Sequence, residues 1–226
     1  MLNIDYDYIN QKLSLGYKLR FDVGTSHNIP HTLDWMKGDE NIFVIAIEPH
    51  PKNFLSSKKI INEHGYGDRC YLIEAAIDNV SNIAKKVFYG LGGKETQYDS
   101  GTSSLKKPIG RFKDCVEEIY NVDVLSLKII LDRLNYSFID YLKVDTQGND
   151  LNVIKSLGDH IKRVCEIQSE YDSTGEYQFA NTGEELDTFL AENQFDKYDS
   201  ILCYYNDENG NCMYSVSDYK YKNLNL

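Results

Sequence analysis

Short apolar runs that alternate with helical patterns constrain the fold of this 226-residue chain more than any other feature. The clearest run is Ile42–Ile47, six apolar residues in a row that stop before Glu48 and Pro49. An unbroken run of this length is typical of a strand that is buried on both faces of a parallel sheet. Comparable strand patterns end at Gly24 and Asp145, and segments with helical spacing lie between them. The alternation predicts an α/β fold with a mostly parallel sheet.

We predict a single domain over residues 1–226, because no internal repeat or low-complexity linker divides the chain. Residues 1–17 are polar with scattered aromatic side chains, and we expect them to be a lead-in to the first strand. The alternation breaks at residues 78–135, where a strand, a glycine turn and a polar loop replace it. A loop rich in Ser, Thr and Gly usually lies at the surface, where loops often carry function. We therefore expect an insertion at 78–135, followed later by two closing strands near 200–205 and 212–216.

Composition and charge narrow the range of partners. The formal net charge is −11, whereas proteins that bind a phosphate backbone usually carry a basic surface. We therefore expect no nucleic-acid partner, and the same sign of charge disfavours docking on an anionic membrane. None of the five cysteines forms a C-x-x-C pair, and neither a basic leader nor a long apolar stretch is visible. These features predict a cytoplasmic protein with free thiols and no membrane segment.

Acidic residues lie at the ends of several predicted strands. Asp22 closes the first strand, and Glu48, Asp145 and Glu170 follow or end later ones. Because the carboxyl ends of parallel strands meet at one edge of an open sheet, these residues are expected to share a rim where such folds bind ligands. Acidic residues also cap the helices that follow strands, which explains any one position on structural grounds. Helix capping does not explain Gly24, which lets a backbone approach a ligand closely.

The same loops favour a nucleoside over a dinucleotide. An acid at the end of the second strand, here Glu48, can accept hydrogen bonds from two ribose hydroxyls. A dinucleotide site would add a G-x-G-x-x-G loop that brings the pyrophosphate to a helix N-terminus. No such pattern follows Gly24, so a nucleoside ligand without phosphates fits the sequence better than NAD does.

Residues 22–26, 43–54 and 139–155 are similar to a D-x-G-x-N loop, an F-E-P-x-P-x-N-F strand end and a K-x-D-x-[EQ]-G-x-E segment. These three segments resemble the signature segments of the FkbM family of small-molecule O-methyltransferases. Residues 103–105 resemble a serine-rich motif of the same family, and the resemblance covers roughly residues 18–195. It implies a doubly wound, mostly parallel seven-stranded sheet with helices on both faces, a Rossmann-like class I methyltransferase fold. It also implies S-adenosylmethionine as the methyl donor.

By this resemblance, the cofactor site is formed by residues at the carboxyl ends of four strands: Asp22, Gly24, Thr25, Ser26, Glu48, Pro49, Ala75, Ala76 and Asp145. The glycine loop would line the amino-acid end of the cofactor, and Glu48 would hold the ribose. The two alanines would lie near the adenine, and Asp145 would lie beside the transferred methyl group. The chain departs from the family pattern at Ser26 and at Asp150, where Asn and Glu are usual.

Methyl transfer requires the nucleophile to approach the methyl carbon to about 3 Å, and a hydroxyl acceptor benefits from a general base. Asp145 and Glu170 are the best-placed carboxylates, with Asp145 preferred, and His27 lies in a loop on the same rim. Each also has a structural interpretation, as a hydrogen-bonding carboxylate or a solvated histidine. Asp145 and Glu170 are oxygen ligands of the kind that Mg²⁺ accepts. Two carboxylates do not make a site, so a divalent metal stays an open alternative that we do not predict.

The acceptor follows only from the resemblance, which favours a sugar, another small hydroxylated molecule or a glycan. The loop over residues 90–111 is expected to cover it, since that loop interrupts the alternation of the core. Two other functions stay open: a non-catalytic S-adenosylmethionine-binding partner subunit, and a nicotinamide-dependent sugar-nucleotide enzyme on a related fold. A homo-oligomer is also open, because the closing strands could form a dimer face.

Overall fold

A mostly parallel seven-stranded sheet organises the molecule. The computed structural model describes residues 2–92, 100–170, 175–206 and 212–226. In these ranges the strands are β1 (Lys18–Val23), β2 (Ile42–Ile47), β3 (Cys70–Ile73), β4 (Ala76–Ile77), β5 (Ala84–Leu91), β6 (Val116–Leu125), β7 (Ile139–Val144), β8 (Val164–Glu170), β9 (Phe195–Asn206) and β10 (Cys212–Asn223). The helices are α1 (Tyr6–Ser14), α2 (Pro30–Gly38), α3 (Pro51–Glu63), α4 (Leu127–Leu131), α5 (Asp150–Lys155) and α6 (Gly183–Glu192).

The order of strands in the large sheet is β3-β2-β1-β7-β8-β10-β9, and β10 runs antiparallel to both strands beside it. The order reverses between β1 and β7, which pair in parallel with Val23 opposite Val144. Both strands therefore deliver their carboxyl ends to one edge of the sheet, where open α/β folds bind ligands. This architecture confirms the predicted doubly wound, seven-stranded fold.

Helices cover both faces of the sheet and bury its apolar strands. Helices α2 and α3 pack on one face, where Met36 and Ile61 belong to the same buried cluster as residues of β2. Helices α1, α4, α5 and α6 pack on the other face, with Ile9, Ile130 and Leu190 in one continuous core. All six residues of β2 are buried, which explains why its apolar sequence is unbroken. Each fully buried Ile, Val or Phe side chain contributes about 1.5–3 kcal/mol to the stability of the fold.

The predicted insertion folds largely as a second sheet of three strands, in the order β4-β6-β5. Strand β6 pairs antiparallel with β5 and parallel with β4. The serine-rich loop joins this sheet at Ser104, whose backbone exchanges hydrogen bonds of 2.8 and 3.1 Å with the backbone of Tyr89. Residues 93–99, part of the loop expected to cover the acceptor, lie outside the described residues.

The elements differ from the predicted ones mainly in the length of the outer strands. Strands β9 and β10 each contain 12 residues and extend well beyond the predicted 200–205 and 212–216. Strand β6 was not expected as a strand, because its apolar residues are interrupted by Glu, Asn and Asp. Within the described part of the chain, no helix has both the length and the apolar character that a membrane span requires.

Candidate cofactor site

The loops that follow β1 and β7 touch each other at Gly24. Its φ of +79° lies in the left-handed region, and a Cβ there would stand 1.8 Å from the backbone oxygen of Asp145. The Gly24 N–H donates to the Ile47 carbonyl, and the Asp145 N–H donates to the Val23 carbonyl, both at 3.0 Å. No side chain fits at this crossing, so the two loops meet backbone to backbone. The contact between the two loops therefore requires glycine at this position.

A buried lysine, Lys143, contacts both loops at this crossing. The Lys143 ammonium donates to the Gly24 carbonyl at 2.8 Å and lies 3.5 Å from Asp22 Oδ1 and 3.4 Å from Asp145 Oδ2. Burial disfavours its charge, but the carboxylates of Asp145 and Asp22 outweigh burial and raise the pKa of Lys143. Asp22 is itself fully buried and accepts a hydrogen bond from the Thr32 hydroxyl at 2.7 Å. Asp22 therefore anchors the base of the site.

Glu48 follows β2 and is almost completely buried. Its Oε2 accepts the Ser26 N–H and its Oε1 accepts the His50 N–H, both at 2.8 Å. Burial raises the pKa of Glu48 to about 7, although the two amide hydrogen bonds and Lys143 favour the anion. The backbone donors fix the orientation of the carboxylate, and each of its oxygens keeps a further lone pair for a ligand.

A cleft runs along the carboxyl ends of β1, β2 and β7 and reaches the exit of β3. Seven of the nine predicted cofactor residues line it: Gly24, Ser26, Glu48, Pro49, Ala75, Ala76 and Asp145. The other two, Asp22 and Thr25, are buried beside it. Ile77, together with Phe88 and Leu105 from the insertion, makes part of the cleft apolar. Contact of these residues with a cofactor stays a prediction.

Two of the three predicted catalytic side chains lie close together. The Nε2 of Gln147 donates to Asp145 Oδ1 and to Glu170 Oε2, both at 2.8 Å, and so joins the two carboxylates. The third, His27, does not line the cleft, and its Nδ1 is 3.2 Å from the Ser26 hydroxyl. In the part of the chain that the structure describes, no three His, Cys, Asp or Glu side chains are grouped so that they could hold a metal ion.

Two loops close on the turn at Gln147. The Ser104 hydroxyl is fully buried, donates to the Gln147 carbonyl at 2.7 Å and accepts the Lys106 N–H at 2.9 Å. The Tyr177 hydroxyl donates to the Thr102 carbonyl and contacts Gln147 Oε1 at 3.2 Å. Sequence reasoning did not assign a role to Gln147 or Tyr177. Gln147 could have been found, because it belongs to the K-V-D-T-Q-G segment at the end of a predicted strand. No sequence feature indicates a role for Tyr177.

A third carboxyl lies near this turn. Asp150 opens α5 and is buried, and its Oδ1 accepts the Thr146 N–H at 3.0 Å. Burial raises the pKa of Asp150, and the negative charge of Asp145 contributes to the same shift. The surroundings of Asp150 therefore favour its neutral form more than water does.

The residues that line the cleft fit a nucleoside joined to an amino acid. Thr146 lines the cleft, and its buried hydroxyl oxygen forms no hydrogen bond with any residue that the structure describes. Gly24 lines the cleft, and each carboxylate oxygen of Glu48 keeps a lone pair that a ribose hydroxyl could use. The alanines at the exit of β3 give an apolar surface for a base. No G-x-G-x-x-G loop follows Gly24 to hold a pyrophosphate, so the cleft suits a dinucleotide poorly.

Comparison with known proteins gives one family match and several structural likenesses. The profile of the methyltransferase FkbM domain matches residues 22–197. Methyltransferase FkbM from Methylobacillus flagellatus KT has a TM-score of 0.52 at 12% identity, over 91% of this chain and 43% of that one. M. capricolum TrmK, solved with S-adenosyl-homocysteine, has a TM-score of 0.49 at 12% identity, over 98% and 69%. No curated protein sequence matches significantly.

The structural likeness supports the fold alone, because the identity is low. The chain also spans less than half the length of the Methylobacillus protein. The family match, in contrast, covers 176 of the 226 residues, since it runs from 22 to 197. It includes the Gly24 crossing, Glu48 and the Asp145 loop. The chain therefore belongs to the FkbM methyltransferase family.

Proposed function

We propose that this protein is an S-adenosylmethionine-dependent O-methyltransferase that acts on a sugar or another small hydroxylated molecule. The proposal depends most on one observation. A single cleft holds the buried carboxylate of Glu48, oriented by two backbone amides, and the carboxylate of Asp145 at the crossing with Gly24. The carboxylate of Glu48 suits a ribose, and the carboxylate of Asp145 suits an acceptor hydroxyl.

S-adenosylmethionine supplies a methyl group on a positively charged sulfur, which a nucleophile attacks in line. In this cleft Glu48 would accept the ribose hydroxyls, because its amide partners leave lone pairs available. Ala75 and Ala76 would pack against the adenine, and the backbone at Gly24 would approach the amino-acid end. These contacts supply binding and orientation, which account for much of the rate that a displacement reaction gains from a protein.

Asp145 would remove the proton from the acceptor hydroxyl. A hydroxyl is a weak nucleophile until its proton is removed, and a well-placed general base contributes about 10²–10⁴-fold to the rate. The carboxylate of Glu170 lies beside Asp145 through Gln147. Two neighbouring carboxylates favour an uncharged acceptor over one that bears phosphate or carboxylate groups, which supports a neutral sugar or glycan.

The experiment is an acceptor screen with methyl-labelled S-adenosylmethionine and a panel of sugars, glycosides, phenols and amines. We expect label in at least one hydroxylated compound, and we expect Asp145→Asn to lower kcat about 100-fold. The exposed Asp159→Asn is the matched control and should leave kcat unchanged. Transfer to amines alone would contradict O-methylation. Tight binding of S-adenosylhomocysteine without transfer to any compound would favour a non-catalytic binding subunit.

A further inference from the structure

Gln147 has a backbone conformation that its residue type seldom adopts. Its φ is +55°, in the left-handed region, and Gly148 after it has a φ of +84°. A left-handed residue other than glycine costs about 1 kcal/mol or more, and such residues concentrate at functional sites. The turn is held by the buried Ser104 hydroxyl, which donates to the Gln147 carbonyl at 2.7 Å. The surrounding structure therefore compensates for the cost of this conformation.

The side chain of Gln147 can occupy this position in one orientation only. Ionised carboxylates accept hydrogen bonds and cannot donate them, so the NH₂ end of the amide must face Asp145 and Glu170. Both Nε2 contacts are 2.8 Å, which is short for an amide donor and typical of a charged acceptor. The carbonyl end lies 3.2 Å from the Tyr177 hydroxyl, whose proton is donated to the Thr102 carbonyl. The donor end of the amide is thus matched to both carboxylates.

These hydrogen bonds tie Asp145 to a residue that is distant in sequence. Asp145 Oδ2 lies 3.4 Å from the Lys143 ammonium, and Asp145 Oδ1 accepts the Gln147 amide. One carboxylate oxygen of Asp145 is therefore held by Lys143, and the other is held by Gln147. Glu170 ends β8, and the same amide fixes its distance from Asp145. A glutamate side chain at position 147 would replace the two donors by acceptors and place three carboxylates together.

We propose that Gln147 is the positioning residue for acceptor activation: its amide donates to both carboxylates and holds Asp145 in the orientation that removes the acceptor proton. The inference rests on the proposed O-methyl transfer. Gln147 itself does not line the cofactor cleft, so it acts on the reaction through Asp145 and Glu170.

The kinetic test compares Gln147→Met, which keeps the length of the side chain, with Gln147→Glu, which keeps its shape. With the acceptor found in the screen, we expect Gln147→Met to lower kcat at least tenfold, while the KM for S-adenosylmethionine stays within twofold. Gln147→Glu should be equally slow at pH 8 and regain activity toward pH 6, since the introduced carboxyl can donate a hydrogen bond once it is protonated.

The exposed Gln11→Met is the matched control. A purely structural role predicts no such recovery, and an unchanged kcat in Gln147→Met would overturn the proposal.

A second measurement needs neither cofactor nor acceptor. In the free protein, the side-chain amide protons of Gln147 should be observed by ¹⁵N NMR as protected from exchange with water. Glu170→Leu, which offers no acceptor oxygen, should shift them and increase their exchange at least tenfold. Amide signals that this substitution leaves unchanged would refute the positioning role even if the protein methylates a hydroxyl. Failure of the acceptor screen alone would instead refute the proposed function.

Discussion

At the scale of single residues, the site depends on carboxyl groups whose surroundings differ sharply. Glu48 is buried between two backbone donors, Asp150 is buried beside another carboxylate, and Asp145 is held by Lys143 and Gln147. Burial raises the pKa of Glu48 to about 7, and it also raises the pKa of Asp150. Glu48 therefore changes its charge within the range of pH in which most proteins work.

The pKa of Glu48 predicts that cofactor affinity depends on pH. A carboxyl with a pKa of about 7 is ionised in roughly a tenth of molecules at pH 6 and in nine tenths at pH 8. Only the anion can accept both ribose hydroxyls, so affinity for S-adenosylhomocysteine should rise about tenfold from pH 6 to pH 8. Isothermal titration calorimetry at three values of pH measures this change.

The variant Glu48→Gln separates this effect from other titrations. It removes the ionisable group and keeps the shape of the side chain, so its affinity should be lower at pH 8 and nearly independent of pH. The exposed Glu40→Gln should follow the wild-type curve. A wild-type affinity that falls as pH rises would show that Glu48 binds the ribose in its neutral form.

How far the sequence predicts individual residues depends on the range of their contacts. Gly24 and Glu48 could be predicted, because the end of a buried strand locates them. The contacts of Gln147 and Lys143 could not, since they join residues 23 and 119 positions apart. His27 was predicted from its loop alone, and it does not line the cleft that holds Asp145. Strand ends predict which residues reach the rim, whereas contacts between loops decide how they are arranged.

At the scale of elements, the crossing of the β1 and β7 loops controls the stability of the site. A Cβ on Gly24 would stand 1.8 Å from a backbone oxygen, and neither loop can move without breaking the hydrogen bonds that join them. We expect Gly24→Ala to lower the free energy of unfolding by at least about 3 kcal/mol. Urea denaturation measures the loss.

Gly16→Ala is the matched control for this prediction. Gly16 has a similar φ of +88°, but nothing lies within 4 Å of the place that a Cβ would occupy. It should lose only the conformational term, about 1–2 kcal/mol. Equal losses in the two variants would mean that the backbone contact at Asp145 contributes nothing beyond the left-handed conformation.

Elements were easiest to predict where their burial is uniform. Strand β2 has the predicted bounds, and strands β1 and β7 end next to Gly24 and Asp145, as predicted. Strands β6, β9 and β10 were missed or shortened, because Lys, Asp, Glu and Tyr alternate with apolar residues along them. Hydrogen bonds to neighbouring strands, which sequence periodicity does not reveal, fix the ends of such strands.

At the scale of the whole molecule, the order of strands concentrates the chemistry at one edge. The reversal between β1 and β7 brings Gly24 against Asp145, and β2 on one side adds Glu48 while β8 on the other adds Glu170. The insertion closes this edge with its own sheet and with Ser104. Methyltransferase sheet topology and the match to the FkbM family therefore agree with a site assembled from four separate segments.

The most direct test of the account is a calorimetric titration of the purified protein with S-adenosylhomocysteine and, separately, with NAD. Both titrations are made on the wild type and on Glu48→Ala. The account predicts binding of S-adenosylhomocysteine alone, weakened at least tenfold by the substitution, or about 1.4 kcal/mol. Binding of NAD, or of neither ligand, would contradict it.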